Sequence, residues 1–401
     1  MSTTKRGGPL EGVRVVELTK VWAGPYAGRQ LGYLGAEVIK IESLESLDVT
    51  RIYGVKDMNQ APGFQAVNPQ KMSVQINVKD KEGIKLALDL IAKSDIFIEN
   101  LRPGAIDRMG LGYEAAKAVN PGIIFVSMGM FGNDGPLAYQ TGYAPCFVAI
   151  GGLSALVGYE GEAPAGMNVR YSDSTFGTAA AYAAAVALAN RRRTGKGQFI
   201  DVSAVETMSS MVGDAIMAHS LTGAIWGCDG NRHPEMAPHN LYPCQDGEWL
   251  AIAASNDAVW AEIAAAMGKP DLAEDARFKT LADRKANEVE LDRLIGEWTA
   301  KGEALELASA LQARGVPAGK SQTSVDLVSD GLLWGRGFYP EATDGVGNSK
   351  SIIGPSWKMT RGTQIEQGAP RLGEHNDYVL DELLGLSTDE RERLTKSGAI
   401  R

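Results

Sequence analysis

Residues 12–42, GVRVVELTKVWAGPYAGRQLGYLGAEVIKIE, contain the pattern that decides the fold. Val13–Leu18 is a short apolar run typical of a buried strand, and Val38–Glu42 is a second one. Between them, a Gly-Pro pair marks the turn into a helix over Tyr26–Leu34. Two short strands joined by a helix predict a βαβ unit, in which the strands run parallel.

The alternation of strands and helices continues after this unit. Further strands are predicted at 73–78, 95–99, 123–128 and 198–203, and helices at 81–92, 105–109 and 113–119. This pattern predicts an α/β protein with a parallel sheet and helices on both faces. Ligands bind such sheets at the carboxyl ends of the strands, where the loops are Thr19–Trp22, Glu42–Arg51, Asn100–Arg102 and Gly129–Asn133. No G-x-G-x-x-G follows the first strand, so a nicotinamide dinucleotide site of the usual kind is not predicted.

Length and composition indicate a globular protein with more than one domain. The chain has 401 residues, 44% hydrophobic and 22% charged, and one hydrophobic core rarely organises that length. From Gly227 to Pro243, turn residues replace the periodic apolar pattern, which indicates a linker. A small α+β region follows it and ends near Ser329.

Charge and cysteine content argue against several classes of protein. The formal net charge is -9, and no basic stripe exceeds Arg191–Arg193, so nucleic acid is not an expected partner. The 3 cysteines have no C-x-x-C spacing and the 4 histidines no H-E-x-x-H pattern, so no metal site is predicted. No secretory signal or apolar run of membrane-spanning length occurs, which predicts a cytoplasmic protein without a membrane partner.

One carboxylate stands out in residues 168–198, NVRYSDSTFGTAAAYAAAVALANRRRTGKGQ. Asp173 lies where a loop leads into an alanine-rich helix that closes with arginines and a Gly-containing turn. Its simplest interpretation is a helix N-cap. The other is a nucleophile, because free N–H groups and the helix dipole favour negative charge there.

Three further groups have two interpretations each. The Arg191–Gln198 run would bind a phosphate or complement the dipole of its own helix. Arg102 and Arg108, after a strand end, would bind a phosphate or form a structural ion pair. His233 and His375 would serve as a general base or as hydrogen-bonding loop residues.

Short segments of characteristic sequence occur along nearly the whole chain. They are Pro9–Val15, Ala23–Pro25, Leu34–Glu42, Glu99–Gly104, Phe131–Pro136, Arg193–Gln198, Asp201–Ser203, Gly230–Pro234 and Leu372–His375. In this order they resemble the family III CoA-transferases, or CaiB/BaiF family, of which formyl-CoA transferase is a member. By this resemblance Asp173 falls on the family's catalytic aspartate, which a glycine, here Gly177, follows four residues later.

The resemblance implies an enzyme that moves CoA between two carboxylic acids, with acyl-CoA as a substrate and no permanently bound cofactor. Asp173 would attack the donor thioester to form a mixed anhydride, which CoA thiolate would convert into an aspartyl thioester. The family fold is an interlocked dimer whose large Rossmann-like domain is built from both chain termini. We therefore expect residues 1–225 and 331–401 to form the large domain, and residues 226–330 the small α+β domain.

The resemblance also implies where CoA binds. The corresponding positions are Val21, Ile76, Lys79, Asn100, Leu101, Arg108 and Met109, to which Arg102 is added for its charge and position. In the family a basic residue often follows the strand-ending Glu42, whereas here Ser43 does. Arg51 is expected to compensate for that missing charge.

The expected acyl pocket contains Trp22, Tyr143 and Ala144. Formyl-CoA transferases have a glutamine in place of Trp22, and the family commonly has an acidic residue in place of Ala144. Nor does a glycine-rich run like their mobile loop follow Leu221. Trp22 is either a core aromatic or the wall of a pocket for an acid bulkier than oxalate, aromatic or dicarboxylic, such as benzylsuccinate.

Two rival interpretations remain open. The 2-methylacyl-CoA racemases share the implied fold but need a histidine in a Gly-His-Asp triplet, where this chain has Gly142-Tyr143-Ala144. The second rival is a CoA-binding subunit of a heteromeric CoA-transferase, against which the presence of Asp173 argues. The partner in the implied dimer would be a second copy of this chain or a homologous subunit.

Overall fold

The computed structural model describes residues 6–166 and 170–401. Asn168 and Val169, at the start of the stretch that contains Asp173, lie outside the described residues. The chain forms two compact units. The first takes in the described residues of Met1–Ser154, Gly166–Ile225 and Leu332–Arg401, and the second takes in Ala155–Ala165 and Trp226–Gly331.

The elements follow in chain order. The strands are β1 (Arg14–Leu18), β2 (Glu37–Glu42), β3 (Lys71–Gln75), β4 (Ile96–Glu99), β5 (Ile124–Gly129), β6 (Gln198–Ser203), β7 (His239–Pro243), β8 (Trp249–Ala253), β9 (Ala318–Lys320), β10 (Glu341–Thr343) and β11 (Ser349–Ser351). The α-helices are α1 (Ala23–Tyr33), α2 (Pro62–Val67), α3 (Lys81–Ala92), α4 (Ala105–Arg108), α5 (Tyr113–Val119), α6 (Ala144–Ile150), α7 (Tyr171–Thr194), α8 (Ala204–Ser210), α9 (Gly213–Thr222), α10 (Asp257–Ala266), α11 (Leu281–Ala286), α12 (Glu288–Thr299), α13 (Ala304–Gln312), α14 (Ser324–Ser329), α15 (Gly331–Gly335) and α16 (Thr388–Ser397).

A parallel six-stranded sheet organises the first unit. Its strand order is β3-β2-β1-β4-β5-β6, and every neighbouring pair is parallel. The predicted α/β class with a parallel sheet is therefore confirmed. This is the doubly wound order of Rossmann folds, in which ligands bind where the order reverses, here between β1 and β4.

The sheet is buried on both faces because apolar residues on either side of its strands pack into hydrophobic cores. Successive residues point to opposite faces, so Val15 and Ile98 pack on the side of α1 and α7. Val16 and Phe97 pack on the other side, in a core that α3 completes. Both faces carry helices, as the alternating pattern predicts.

Helix α7 is rich in alanine and contains one glycine, Gly177, where α1 crosses it closely. A Cβ atom at Gly177 would lie 2.5 Å from the carbonyl oxygen of Ala23, too close for any other residue without a shift of the helix. The contact brings the start of α1 beside the start of α7, which positions the candidate site.

Several predicted boundaries are wrong. Helix α1 begins at Ala23, before the Gly-Pro pair, since proline is tolerated in a first turn. The predicted linker over 227–243 contains β7, which pairs with β8. Strands β10 and β11, which follow the second unit along the chain, pair as an antiparallel hairpin.

The second unit is a small α+β body. Antiparallel strands β7, β8 and β9 form its sheet, against which helices α10, α12 and α13 pack. Trp260 and Phe278 meet edge to face at its centre. The unit therefore has a hydrophobic core of its own.

The described residues contain neither a candidate membrane span nor a candidate metal site. None of the helices within 6–166 and 170–401 is both long enough and apolar enough to cross a membrane. The same residues hold no group of three or more His, Cys, Asp or Glu side chains placed to bind a metal ion.

Candidate active site

Asn100 joins the loops that follow β1 and β4. Its side-chain oxygen accepts a hydrogen bond from the Lys20 backbone N–H at 2.8 Å, and its amide nitrogen donates to the Lys20 carbonyl at 2.8 Å. A Cβ atom at Gly24 would lie 2.7 Å from Asn100, so the glycine lets α1 begin against this side chain. Both predicted ligand loops are thereby fixed to one another at the carboxyl edge of the sheet.

Val21 stands in a strained backbone conformation in the β1–α1 loop. Its φ angle of 69° lies in the left-handed region, which a β-branched residue seldom adopts. The Val21 N–H donates to Asp48 Oδ1 at 3.0 Å, and Asp48 also accepts from the Thr50 N–H and hydroxyl. Burial opposes ionisation of Asp48, but the Lys40 charge and these hydrogen bonds lower its pKa. A buried anion therefore holds the loop in its strained form.

Behind that loop lies a cluster of buried charges. Lys40 Nζ is 3.2 Å from Asp48 Oδ2 and 3.5 Å from Glu17 Oε1, and it donates to the Thr19 carbonyl at 2.6 Å. Lys71 Nζ donates to Glu17 Oε1 at 2.8 Å. None of the four charged side chains is exposed. They tie β1, β2 and β3 to the loop that leads into α1.

We expect Asn100→Ala to destabilise the protein by about 1–3 kcal/mol, because both peptide groups of Lys20 would lose their partner. Urea denaturation measures the change in the free energy of unfolding. Asn100→Asp is a second variant, which keeps an acceptor for the Lys20 N–H but places a carboxylate oxygen against the Lys20 carbonyl, so it should be destabilised as well. An alanine variant as stable as the unaltered protein would contradict this account of the loop.

Trp22 connects this loop to the start of α7. Its indole Nε1 donates to the Ser174 hydroxyl at 3.1 Å, and the Arg170 guanidinium carbon lies 5.3 Å from its ring centroid. The ring is only partly buried, which argues against its interpretation as a core aromatic. Trp22 therefore stands beside the residues that flank Asp173.

Asp173 lies in the first turn of α7 and is only 7% exposed. Its interpretation as the N-cap is wrong: α7 begins at Tyr171, and Arg170 holds the cap position without a capping hydrogen bond from its side chain. Within the described chain, no hydrogen-bond donor reaches its carboxylate at bonding distance. Burial raises the pKa of Asp173, and the charge of Arg170 acts against that rise. The side chain is thus a carboxylate largely removed from water, beside free backbone N–H groups.

The start of α6 lies against the start of α7. Ser172 donates to the Ala144 carbonyl at 3.4 Å, and Ala144 is buried. Tyr143 precedes α6 and is 66% exposed, so its ring does not pack in the core. Trp22 and Ala144 are thus brought near Asp173, while the Tyr143 side chain lies largely in solvent.

The predicted CoA positions lie after β1, β3 and β4. In the sheet β4 is the neighbour of β1, and β2 separates β3 from β1. Ile76 is buried and pairs with Ile400, whereas Lys79 is exposed and donates to the Glu45 carbonyl at 2.7 Å. Leu101 and Met109 pack partly against the core below. Arg102 and Arg108 are exposed, and neither forms an ion pair with an acidic residue of the described chain, so their interpretation as structural ion pairs is wrong.

Two arginines considered for phosphate binding are occupied by structural contacts. Arg51 is fully buried, donates to Glu42 at 2.8–3.1 Å and stacks on Phe64, so the expectation that it compensates for Ser43 is wrong. Arg191 pairs with Asp95, which precedes β4 at the opposite edge of the sheet from the site. Arg191 is therefore held in a structural ion pair, and the dipole-complementing interpretation of this helix end stays a prediction.

The two histidines considered as bases each accept a hydrogen bond from a backbone N–H. His233 Nδ1 accepts from the Glu235 N–H at 3.1 Å, and the Ser73 N–H donates to His375 Nδ1 at 3.3 Å. Burial lowers the pKa of His375. These contacts fit the interpretation as hydrogen-bonding loop residues.

Glu99, at the end of β4, is a buried carboxyl group that the sequence analysis did not single out. Burial raises its pKa to about 7, although Ser127 and the Leu101 N–H, 2.9 Å from Oε2, favour the charged form. The residues before Glu99 in β4 are apolar and predict a buried strand, but they do not reveal that the pKa of Glu99 is raised.

Because the pKa of Glu99 is higher in the folded state, folding binds a proton between the ordinary value of 4.5 and about 7. Its contribution to stability is therefore largest at acid pH and falls as the pH rises to about 7, by roughly 3 kcal/mol in all. Denaturation at a series of pH values, compared with Glu99→Gln, measures this. The same pH slope in both proteins would contradict the assignment.

The chain was compared with known proteins. The sequence model of CoA-transferase family III matches residues 10–376. A succinyl-CoA–D-citramalate CoA-transferase of Chloroflexus aurantiacus is 35% identical over 100% of both chains. A succinyl-CoA:glutarate CoA-transferase of Mus musculus is 32% identical over 98% of this chain and 90% of its own. The crystal structure of a CaiB/BaiF family protein from Brucella suis aligns with a TM-score of 0.87 and 34% identity, over 94% of this chain and 100% of that one.

Proposed function

The chain belongs to CoA-transferase family III and is a CoA-transferase, and we propose that it moves CoA from succinyl-CoA to a second dicarboxylic acid. The proposal for the acids draws on the names of the two relatives, which pair succinyl-CoA with citramalate and with glutarate. Both acids are larger than oxalate, in agreement with the expectation from Trp22. Aromatic dicarboxylates such as benzylsuccinate belong to the same class and are included in the test below.

The observation that carries the mechanism is the position of Asp173. Its carboxylate is largely buried, accepts no hydrogen bond from the described residues, and lies in the first turn of α7. A carboxylate with few hydrogen bonds keeps its lone pairs free to attack a carbonyl carbon. The N–H groups of the same turn lack acceptors within the helix and would stabilise the oxyanion that forms.

The first half-reaction transfers CoA to the enzyme. An Asp173 oxygen attacks the thioester carbonyl carbon, the C–S bond breaks, and CoA leaves as the thiolate. The product is a mixed anhydride between Asp173 and the donor acid. The thiolate then attacks the Asp173 carbonyl carbon, which releases the donor carboxylate and leaves an aspartyl-CoA thioester.

The second half-reaction runs the same steps with the acceptor. Its carboxylate attacks the aspartyl thioester, which releases the thiolate and forms a second anhydride. The thiolate attacks the acceptor's acyl carbon, and Asp173 leaves as a carboxylate. The two half-reactions require no oxidant and no net proton. The same carboxylate, Asp173, serves in both.

We further propose that CoA lies along the edge formed by Val21, Ile76, Lys79, Asn100, Leu101, Arg102, Arg108 and Met109, with Trp22, Tyr143 and Ala144 around the acyl group. The exposed cations Arg102 and Arg108 provide the charge that CoA phosphates need. The interlocked dimer also remains a proposal. Helix α9 supports it, because none of its residues is buried and Ile216, Met217 and Leu221 are exposed.

A panel of acyl-CoA donors and free acids, analysed by mass spectrometry for CoA exchange, tests the function. We expect exchange between succinyl-CoA and glutarate, citramalate or benzylsuccinate, and little with oxalate. If no pair exchanges CoA, the proposal fails. Deuterium entering the α-carbon of a 2-methylacyl-CoA would instead support the racemase.

A further inference from the structure

Arg170 stands at the entrance to α7, one turn before Asp173. Its carbonyl accepts the Ser174 N–H at 3.1 Å, and its guanidinium lies over the ring of Trp22, 5.3 Å from the centroid. The side chain is exposed and occupies the cap position without capping the helix. It therefore lies on the solvent side of the buried nucleophile, where a substrate would approach.

Among the described residues, the Arg170 guanidinium has no acidic partner. Arg51 in the same unit, by contrast, is paired with Glu42. No carboxylate in 6–166 or 170–401 comes within 4 Å of the Arg170 guanidinium, although its charge acts on Asp173. The stacking on Trp22 limits its orientations and leaves its N–H groups available.

We propose that Arg170 binds the remote carboxylate of the dicarboxylic substrate while the other carboxyl group reacts at Asp173. The inference rests on the proposed function. A guanidinium matches a carboxylate with two parallel hydrogen bonds, and a monocarboxylic acid has no group to receive them. Arg170 is thus a specificity-determining residue for the acyl group rather than for CoA.

Arg170 would also act in the second half-reaction, when the acceptor binds. When Asp173 becomes the aspartyl thioester, it loses its negative charge. The positive charge of Arg170 then no longer interacts with a carboxylate at Asp173. The guanidinium then attracts the incoming acceptor more strongly than it holds the product acyl-CoA, which leaves beside the regenerated Asp173 carboxylate. One arginine therefore serves both the donor and the acceptor, which occupy the same place in turn.

The test compares two acceptors that differ only in the remote group, glutarate and pentanoate, with succinyl-CoA as donor. In a ping-pong reaction, kcat/KM for the acceptor depends on the second half-reaction alone. For Arg170→Gln we expect kcat/KM to fall roughly 30- to 100-fold with glutarate and less than about 3-fold with pentanoate. Arg170→Lys should fall between, because it keeps the charge and loses the planar fork.

Arg192→Gln, at the far end of the same helix roughly 30 Å away, is the matched control and should keep the unaltered ratio of the two acceptors. Equal losses for glutarate and pentanoate in Arg170→Gln, or no loss for either, would overturn the inference and leave the CoA-transferase function standing. Absence of CoA transfer in the unaltered protein would instead overturn the proposed function.

Discussion

Asp173→Asn is expected to lower kcat by at least about 1000-fold, while the protein remains folded and binds CoA. The amide has nearly the shape of the carboxylate but cannot attack a thioester. Without the nucleophile, neither anhydride forms, and no other described carboxylate lies in the first turn of α7 to replace it. The rate of CoA exchange between succinyl-CoA and glutarate measures the effect.

Thermal unfolding and CoA binding by calorimetry are the controls, because a misfolded variant would lose both. Asp173→Glu is the second variant. It keeps the charge but moves the carboxylate by one methylene group, so we expect partial activity. Exchange by Asp173→Asn within tenfold of the unaltered rate would show that another group carries the acyl chemistry.

Glu17→Gln is expected to reduce the free energy of unfolding by about 3–5 kcal/mol at neutral pH. Glu17 is the shared partner of Lys40 and Lys71, and all three side chains are fully buried. The amide would leave two ammonium groups with Asp48 as the remaining anion of the cluster. Urea denaturation followed by circular dichroism measures the loss.

The pH dependence of that loss separates a charge effect from a packing effect. Burial lowers the pKa of Lys71 to about 8, so at higher pH it becomes neutral and needs no counter-charge. The destabilisation of Glu17→Gln should therefore shrink between pH 7 and 9. Asp89→Asn, which removes an exposed partner of Lys85, should change stability by less than about 1 kcal/mol. A pH-independent loss would mean that packing, not charge, explains it.

The sequence predicted the sheet well because its signal is local. The short, mostly apolar runs Val13–Leu18 and Val38–Glu42 predicted buried strands, and both strands were found within a residue or two of these bounds. The boundaries failed where local signals conflict with tertiary contacts. The start of α1, for example, depends on the fit of Gly24 against Asn100.

The candidate site was predictable only in part. Asp173 stood out through its place before an alanine-rich helix, although its role as a cap was wrong. The loops of the site are held by contacts between residues distant in sequence, such as the hydrogen bond from the Val21 N–H to Asp48. No periodicity in the sequence reveals such pairs. Arg170 lies one helical turn from Asp173, and this spacing was the one signal that could have identified it.

The most direct test of the mechanism traces an oxygen atom from the acceptor carboxylate to Asp173. When the acceptor carboxylate attacks aspartyl-CoA, its own oxygen becomes the bridging atom of the anhydride and stays on Asp173 after the thiolate attack. After turnover with an acceptor whose carboxylates carry a heavy oxygen isotope, the peptide containing Asp173 should be heavier by one or two labelled atoms. An unlabelled Asp173 after many turnovers, or label on another carboxylate, would contradict Asp173 as the nucleophile.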